Sequence, residues 1–341
     1  MKTILAFETS CDETAAAIAT NIDGRIEIVS NITASSAVLQ AKYGGVIPEQ
    51  AAREQLKAII PVLEECIQTA GLTKKDIDAI AVTQGPGLIG SLLIGVETAK
   101  ALSLVWDKPL IPVNHLLGHF YGNWINEGEK EIPTFPFVGL LVSGGHSDIV
   151  LFKDHSIFEY LGGTRDDAAG ECFDKCARLM GLPGVQGGPV VGKLALEGNP
   201  KAFHLPRPLS DSSDLDYSFS GLKTAVMNLV KELEIKGRVV SSDLQLLADL
   251  CASLQEAIVD TLIKKVIRAA QQRGIEQIVV AGGVAANSRL KEKLSERFHG
   301  SVIFPQPKYC TDNAAMIAAA GFFMEAKAPL LVEANPNLSL S

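Results

Sequence analysis

Thr3-Ile-Leu-Ala-Phe-Glu-Thr-Ser-Cys-Asp-Glu-Thr-Ala-Ala-Ala-Ile-Ala-Thr-Asn-Ile-Asp-Gly-Arg-Ile-Glu-Ile-Val-Ser-Asn-Ile-Thr33 is the stretch that decides the fold. Thr3 to Ser10, Ala15 to Thr20 and Arg25 to Thr33 read as three strands, with Asp23-Gly24 as a hairpin turn. That is an antiparallel meander. Pro48 to Ala70 then carries Leu56, Ile59, Ile60 and Leu63 at helical spacing and closes on Gly71. Ile77 to Thr83 reads as a strand ending in Gly85-Pro-Gly87, Ser91 to Val105 as a helix, and Leu110 to Val113 as a further strand.

The second half repeats the plan. Phe137 to Val142, Asp148 to Phe152 and Ile157 to Leu161 read as strands around a Gly144-Gly145 turn, and Ala168 to Met180 as a helix. After helical stretches at Gly221 to Glu234 and Asp243 to Gln272, strand Gln277 to Ala281 ends in Gly282-Gly283. Helix Ala286 to Phe298 and strand Ser301 to Phe304 complete the copy. The order β-β-β-α-β-α-β thus occurs twice, with little residue identity. An α/β chain of two lobes is expected, residues 1–134 and 135–324, with an insertion at about 181–272. A terminal helix, 325–341, is expected to pack partly back on the first lobe. Ligand sites in α/β sheets gather at strand ends and domain junctions, so the glycine turns mark the expected site. Gly181 to Ser220, rich in Gly, Ser and Asp, reads as a loop over the cleft.

The chain has 341 residues, 47% of them apolar, enough for two cores. No apolar run approaches the roughly 20 residues of a membrane span, and the N-terminus runs straight into Glu8; a cytoplasmic, unprocessed chain is expected. The six cysteines form no C-x-x-C pair and read as reduced thiols, with Cys172 and Cys176 assigned to packing. With 31 basic against 39 acidic residues the net charge is −8, which argues against nucleic-acid binding by bulk electrostatics. A nucleic-acid substrate would need a local basic face or a partner that supplies one.

His115-Leu-Leu-Gly-His119 follows a strand and opens a helix, so its i, i+4 spacing puts both imidazoles on one face. Such a pair binds a metal ion or, alternatively, bonds the backbone; two imidazoles alone underfill a metal site. The repeat supplies a third candidate. Asp312 holds the place in the second half that His115 holds in the first, and facing lobes would bring the two together across the cleft; the alternative has Asp312 or Thr311 capping a helix Asn313 to Lys327. Val142-Ser-Gly-Gly-His146 offers backbone N–H groups at a strand end, a phosphate cradle or an ordinary hairpin. Gly282-Gly283 would admit an adenosine ring, with Asn287 bonding ribose or base. Glu8, Asp12 and Glu13 concentrate carboxylates at the end of the first strand, and Asp166 to Asp174 form a second acidic group.

In series, Glu8-Thr-Ser-Cys-Asp-Glu-Thr14, Tyr43-Gly-Gly-Val, Gly85-Pro-Gly87, His115-Leu-Leu-Gly-His119, Leu141-Val-Ser-Gly-Gly-His146, Asp166-Asp-Ala-Ala-Gly-Glu171, Phe173-Asp-Lys175, Phe219-Ser-Gly-Leu-Lys-Thr224, Ala281-Gly-Gly-Val284 and Cys310-Thr-Asp-Asn313 resemble the tRNA threonylcarbamoyladenosine transferases. The match runs in order over nearly the whole chain. The resemblance implies an actin/Hsp70/sugar-kinase-like fold and transfer of threonylcarbamoyl from threonylcarbamoyl-AMP to N6 of adenosine 37, in tRNAs reading codons that begin with A. It implies one divalent metal, Fe2+ or alternatively Zn2+, on His115, His119 and Asp312, and adenylate contacts from Leu141, Val142, Ser143, Gly144, Gly145, Asp174, Gly188 and Asn287. It also implies a homologous, site-poor paralogue and a small ATPase as partners. Leu117 stands where an acidic residue is common, and Gln40 and Gln55 where histidines are usual.

The adenine amine is a poor nucleophile, so activation falls to the acyl side, with Asp12 or Glu13 placed to accept the amine proton. An ATP-dependent kinase of the same fold, a small-molecule carbamoyltransferase and a non-catalytic scaffold are the rival readings.

Overall fold

The computed structural model describes residues 1–36, 47–126, 128, 131–182 and 187–340, so Gln40 and the Tyr43-Gly-Gly loop lie outside the described residues. The chain divides into two compact units, Met1–Pro133 with Gln306–Ser341, and Thr134–Pro305.

In the first unit β1 (Lys2–Glu8) pairs antiparallel with β2 (Glu13–Ile22), and β2 with β3 (Arg25–Ser35). Asp23 and Gly24, at φ of 52° and 86°, make the hairpin turn as expected from their residue types. Helix α1 (Pro48–Ala70) begins with proline in its first turn, where no donor is lost, and ends on Gly71 in the left-handed conformation. Its buried stripe is Ile59, Val62, Leu63 and Cys66, so Leu56 and Ile60, read as part of the apolar face, stay exposed. β4 (Ala79–Gly85), α2 (Ile89–Trp106), β5 (Leu110–Asn114) and α3 (His115–Tyr121) follow. α2 is long and apolar enough to cross a membrane by length and composition alone, with a mean hydropathy of 1.4 over 18 residues, although the sequence was read as having no apolar run of that length. Its Val96 and Ala99 pack into the core with Leu5, Phe7 and Val82. The sheet order is β3-β2-β1-β4-β5.

The second unit holds β6 (Phe137–Val142), β7 (Ser147–Asp154), β8 (Ile157–Gly163), α4 (Ala169–Leu179), α5 (Gly187–Ala195), α6 (Ser220–Ile235), α7 (Leu244–Arg273), β9 (Gln277–Ala281), α8 (Ser288–Arg297) and β10 (Ser301–Ile303). Its sheet runs β10-β9-β6-β7-β8, which is the first sheet's order copied strand for strand. The segment 181–220, expected to be loop throughout, contains α5, whose Val191 and Ala195 are buried.

The last helix, α9 (Ala314–Gly321), belongs to the first unit rather than to the second lobe of residues 135–324. All eight of its residues are buried. A helix apolar on every side needs neighbours all round, and α9 finds them in β1, β2 and α3. It stops at Gly321, not at Lys327. Residues 325–341 form no α-helix among those described, only a 3-10 turn at Pro329–Leu331; Pro329 and Pro336 each lack the N–H that a helix would use. This tail docks on the first unit through Lys327 N–H to Leu110 O and Asn335 N–H to Gln84 O, each 2.8 Å, with Val332 buried.

Candidate metal centre and nucleotide turns

Asn114 ends β5 and starts α3. Its side chain accepts from Leu116 N at 2.8 Å and Leu117 N at 3.4 Å, so the helix begins at His115 and both histidines share one face. Their ring centroids lie 4.7 Å apart. Gly118 between them lets α9 approach, for a Cβ there would stand 2.7 Å from Ile317 Cδ1. Asn313 caps α9 by accepting from Met316 N at 3.0 Å. Neither Asp312 nor Thr311 is therefore the cap, and Asp312 turns to the histidines, 3.5 Å from His115 Nε2 and 3.3 Å from His119 Nε2. The cross-lobe argument for Asp312 is corrected: the three donors sit within one unit, because α9 is part of it.

Glu8, named at the sequence level only as one of a carboxylate group, is the fully buried end of β1. Its Oε2 lies 3.0 Å from His115 Nδ1 and accepts from Thr83 Oγ1 at 2.6 Å, while Oε1 accepts from Ser10 N at 2.6 Å. Burial favours the neutral acid, but the adjacent His115 and these bonds outweigh it and hold the carboxyl below its ordinary range. Burial likewise opposes a charged His115, yet Glu8 and Asp312 push its pKa up to about 9. In the neutral tautomer that donates Nδ1–H to Glu8, Nε2 would aim its lone pair at the Asp312 carboxylate. Two acceptors facing each other at that distance call for a proton or a cation between them. Donor atoms bound at about 2.0–2.2 Å to one tetrahedral ion stand about 3.4 Å apart, close to the two distances from Asp312 to the histidines. His119 Nδ1 is buried with no hydrogen-bond partner. A divalent metal fits this donor set, and Glu8 is placed to orient His115 toward it. The legible signal for Glu8 was an acid closing an otherwise apolar strand.

Burial, a hydrogen bond with Asp12 and the charges of Asp12 and Asp312 push the Glu13 pKa up to about 9. Gln55 is buried and donates Nε2 to the carbonyls of Thr9 (3.3 Å), Cys11 (3.0 Å) and Glu13 (2.8 Å), fixing the backbone of this turn. Leu117 packs in the core.

In the second unit the side chains of Leu141 and Val142 are fully buried in β6, so only their backbone is available to a ligand. Ser143 N–H to His146 O at 2.8 Å closes the turn, and Gly144 and Gly145 at its tip are exposed. A Cβ at either would meet nothing within 4 Å. The turn abuts the start of α4, whose Gly170 N–H donates to Ser143 O at 3.1 Å. The turn after β9 lies beside it, since a Cβ on Gly282 would come within 2.4 Å of Val142 O. Asp174 accepts from Gly187 N at 2.6 Å and Gly188 N at 3.3 Å, which ties α4 to the start of α5. Burial raises its pKa, against these two bonds. Asn287 caps α8 through Leu290 N at 3.0 Å and donates to Gln255 Oε1 at 2.8 Å. The two turns, from neighbouring parallel strands, therefore open at one edge of the sheet, the usual ligand edge of α/β sheets.

Residues 27–319 match the sequence profile of a family described as tRNA N6-adenosine threonylcarbamoyltransferase. A protein of that description from Thermomicrobium roseum is 48% identical over 338 residues, covering 94% of this chain and 91% of its own length. One from Clostridium perfringens is 48% identical over 345 residues, covering 99% and 98%. Among solved structures, component A of the Acidaminococcus fermentans (R)-2-hydroxyglutaryl-CoA dehydratase superposes with a TM-score of 0.52 at 16% identity, covering 95% of this chain and 98% of that one. At that identity the likeness concerns the fold alone, which is the actin/Hsp70/sugar-kinase type.

Proposed function

The chain belongs to the tRNA N6-adenosine threonylcarbamoyltransferase family, enzymes of tRNA modification, and we propose that its donor is threonylcarbamoyl-AMP and its acceptor N6 of adenosine 37. The observation that carries this reading is the His115, His119 and Asp312 cluster with Glu8 behind it, a donor set that phosphoryl transfer by a kinase of this fold does not require. A divalent metal, Fe2+ in our reading with Zn2+ as the alternative, would be held by those three side chains and would supply a Lewis acid for charge developing on the donor's oxygens. Glu8 keeps His115 in the tautomer that offers Nε2. Backbone N–H groups of Gly144 and Gly145 bind the adenylate phosphate, the openness at both glycines leaving room for it, while Ser143 N–H closes the turn on His146 O. Asp174 holds the Gly187-Gly188 turn, and Asn287 the α8 start, against the nucleoside. The adenine amine attacks the carbamoyl carbon, the bond to the phosphate oxygen breaks, AMP leaves, and the amine proton passes to Asp12 or Glu13.

Two partners, a homologous paralogue poor in site residues and a small ATPase, complete the assembly in the cytoplasm. Support for a protein partner comes from α1 and α2, which pack together and leave Leu56, Ile60, Ile89 and Leu93 exposed. The test is transfer from synthetic threonylcarbamoyl-AMP to tRNA, read by nucleoside mass spectrometry, with and without partners. Formation of the modified nucleoside without ATP supports the proposal. Dependence of the chemical step on ATP as donor would sink it in favour of the kinase reading.

A further inference from the structure

One cavity of the second unit lies among residues that the proposed reaction does not use. It has a volume of about 650 Å³ and is lined from α7 by Asp260, Lys264 and Arg268, from the loop between α5 and α6 by Arg207, and from the end of α8 by Arg297. Ile263 and Ile267 also line it, and no aromatic side chain does.

Its charge is not internally cancelled. Four cations face one carboxylate among the lining residues, and Asp260 is shared by Arg207 Nη2 at 3.0 Å, Arg297 Nη1 at 3.3 Å and, from outside the lining, Lys293 Nζ at 2.5 Å. Lys264 pairs with Asp211, whose side chain is 89% exposed, where water screens the pair. Arg268 is fixed differently: its guanidinium donates to the carbonyls of Ser212 and Ser210. Arg207 adds a bond to Leu205 O at 2.6 Å. A carbonyl oxygen holds a guanidinium in place without neutralising it. These are cations built into position on a chain whose net charge is −8.

We propose that this cavity is a docking site for the phosphodiester backbone of tRNA, resting on the reading of the chain as a tRNA-modifying transferase. The chemistry favours backbone over base or free nucleotide. Guanidinium and ammonium groups recognise phosphates, whereas single-stranded bases are gripped by stacking on aromatic rings, and none is here. The volume exceeds what one phosphate needs and suits successive phosphates along a strand.

The test compares the full-length protein with Lys264→Gln/Arg297→Gln and with Lys264→Glu/Arg297→Glu, both positions being half-exposed and paired only through side chains, with Asp211 and Asp260. Folding is checked by circular dichroism, and tRNA binding is measured by filter retention from low to moderate salt. The charge-reversed protein should lose roughly 10- to 100-fold in tRNA affinity at low salt, and its log–log salt slope should flatten by about 1–2, with the neutral variant intermediate. An unrelated RNA should show the same loss, because backbone contacts carry no sequence. Unchanged affinity and slope in a folded variant would overturn the proposal, as would a loss confined to inorganic diphosphate or AMP, which marks a small-anion site. Wild-type transfer activity, measured alongside, separates the outcomes: its absence counts against the functional reading, while activity with unaltered tRNA binding in the variants counts against the cavity alone.

Discussion

His115 is held by a carboxylate on each side. Glu8 takes its Nδ1 and Asp312 faces its Nε2, so the ring cannot turn without losing one of them. Replacing His115, His119 or Asp312 by Ala should abolish stoichiometric metal, measured by elemental analysis of the purified protein. Full occupancy in Asp312→Ala would remove it from the ligand set. Glu8→Gln tests the orienting role: a carboxamide still fills the space, but it no longer fixes the tautomer, and metal affinity should fall roughly 10- to 100-fold while the fold persists. An unchanged affinity would return Glu8 to a purely structural part. The histidine spacing was legible in the sequence because i and i+4 on a helix share a face whatever surrounds them. The Glu8 contact was not, since it joins the ends of β1 and β5, which only the sheet order relates.

At the level of elements, the turn between β6 and β7 and the pairing of α7 with α8 each make a prediction. Gly145 lies in open space, so Gly145→Val should leave the thermal midpoint nearly unchanged while weakening adenylate binding, because a branched side chain then occupies the approach to the N–H groups. Calorimetry with AMP or a stable donor analogue decides it, and undiminished affinity would make the turn an ordinary hairpin. On α7, Glu256 is largely buried between Arg289 and Lys293 of α8. Burial raises its pKa, but the two cations outweigh this and lower it from 4.5 to about 2. A folded-state pKa below the unfolded one means that the pair stabilises the protein above the unfolded value and that this stability is lost as pH falls from about 4.5 towards about 2. Glu256→Gln should therefore cost about 1–2 kcal/mol at neutral pH, after discounting for solvent screening, and almost nothing near the acid end. Denaturant titrations across that range will show the two curves converging. A constant gap would assign the loss to packing. The strands and α1 matched their sequence reading because turn residues and caps act locally, whereas α5 was missed because Gly187-Gly188-Pro189 carries loop composition into a helix whose burial is tertiary.

For the molecule as a whole, charge sets the expectation about tRNA. A net charge of −8 repels distant phosphates, so the isolated chain should bind tRNA weakly and lose that binding with modest salt, while a cognate paralogue and small ATPase should raise both affinity and transfer. Binding isotherms at two salt concentrations with and without these partners provide the check; tight binding by the chain alone would show that the basic cavity suffices. The duplicated order of elements was written in the sequence, because a strand's alternation, a helix's period and a glycine's turn are properties of short segments, and the two sheets share one strand order. The histidine pair and the glycine turns were legible for the same reason. What the tertiary structure decided is which unit each segment joins. The helix at 314–321 looked like the close of the second copy, yet its apolar surface on all sides is satisfied against β1, β2 and α3, and this carries Asp312 to the histidines within one unit. Residue spacing cannot report that choice, because it depends on which buried surface is left uncovered once both sheets have formed.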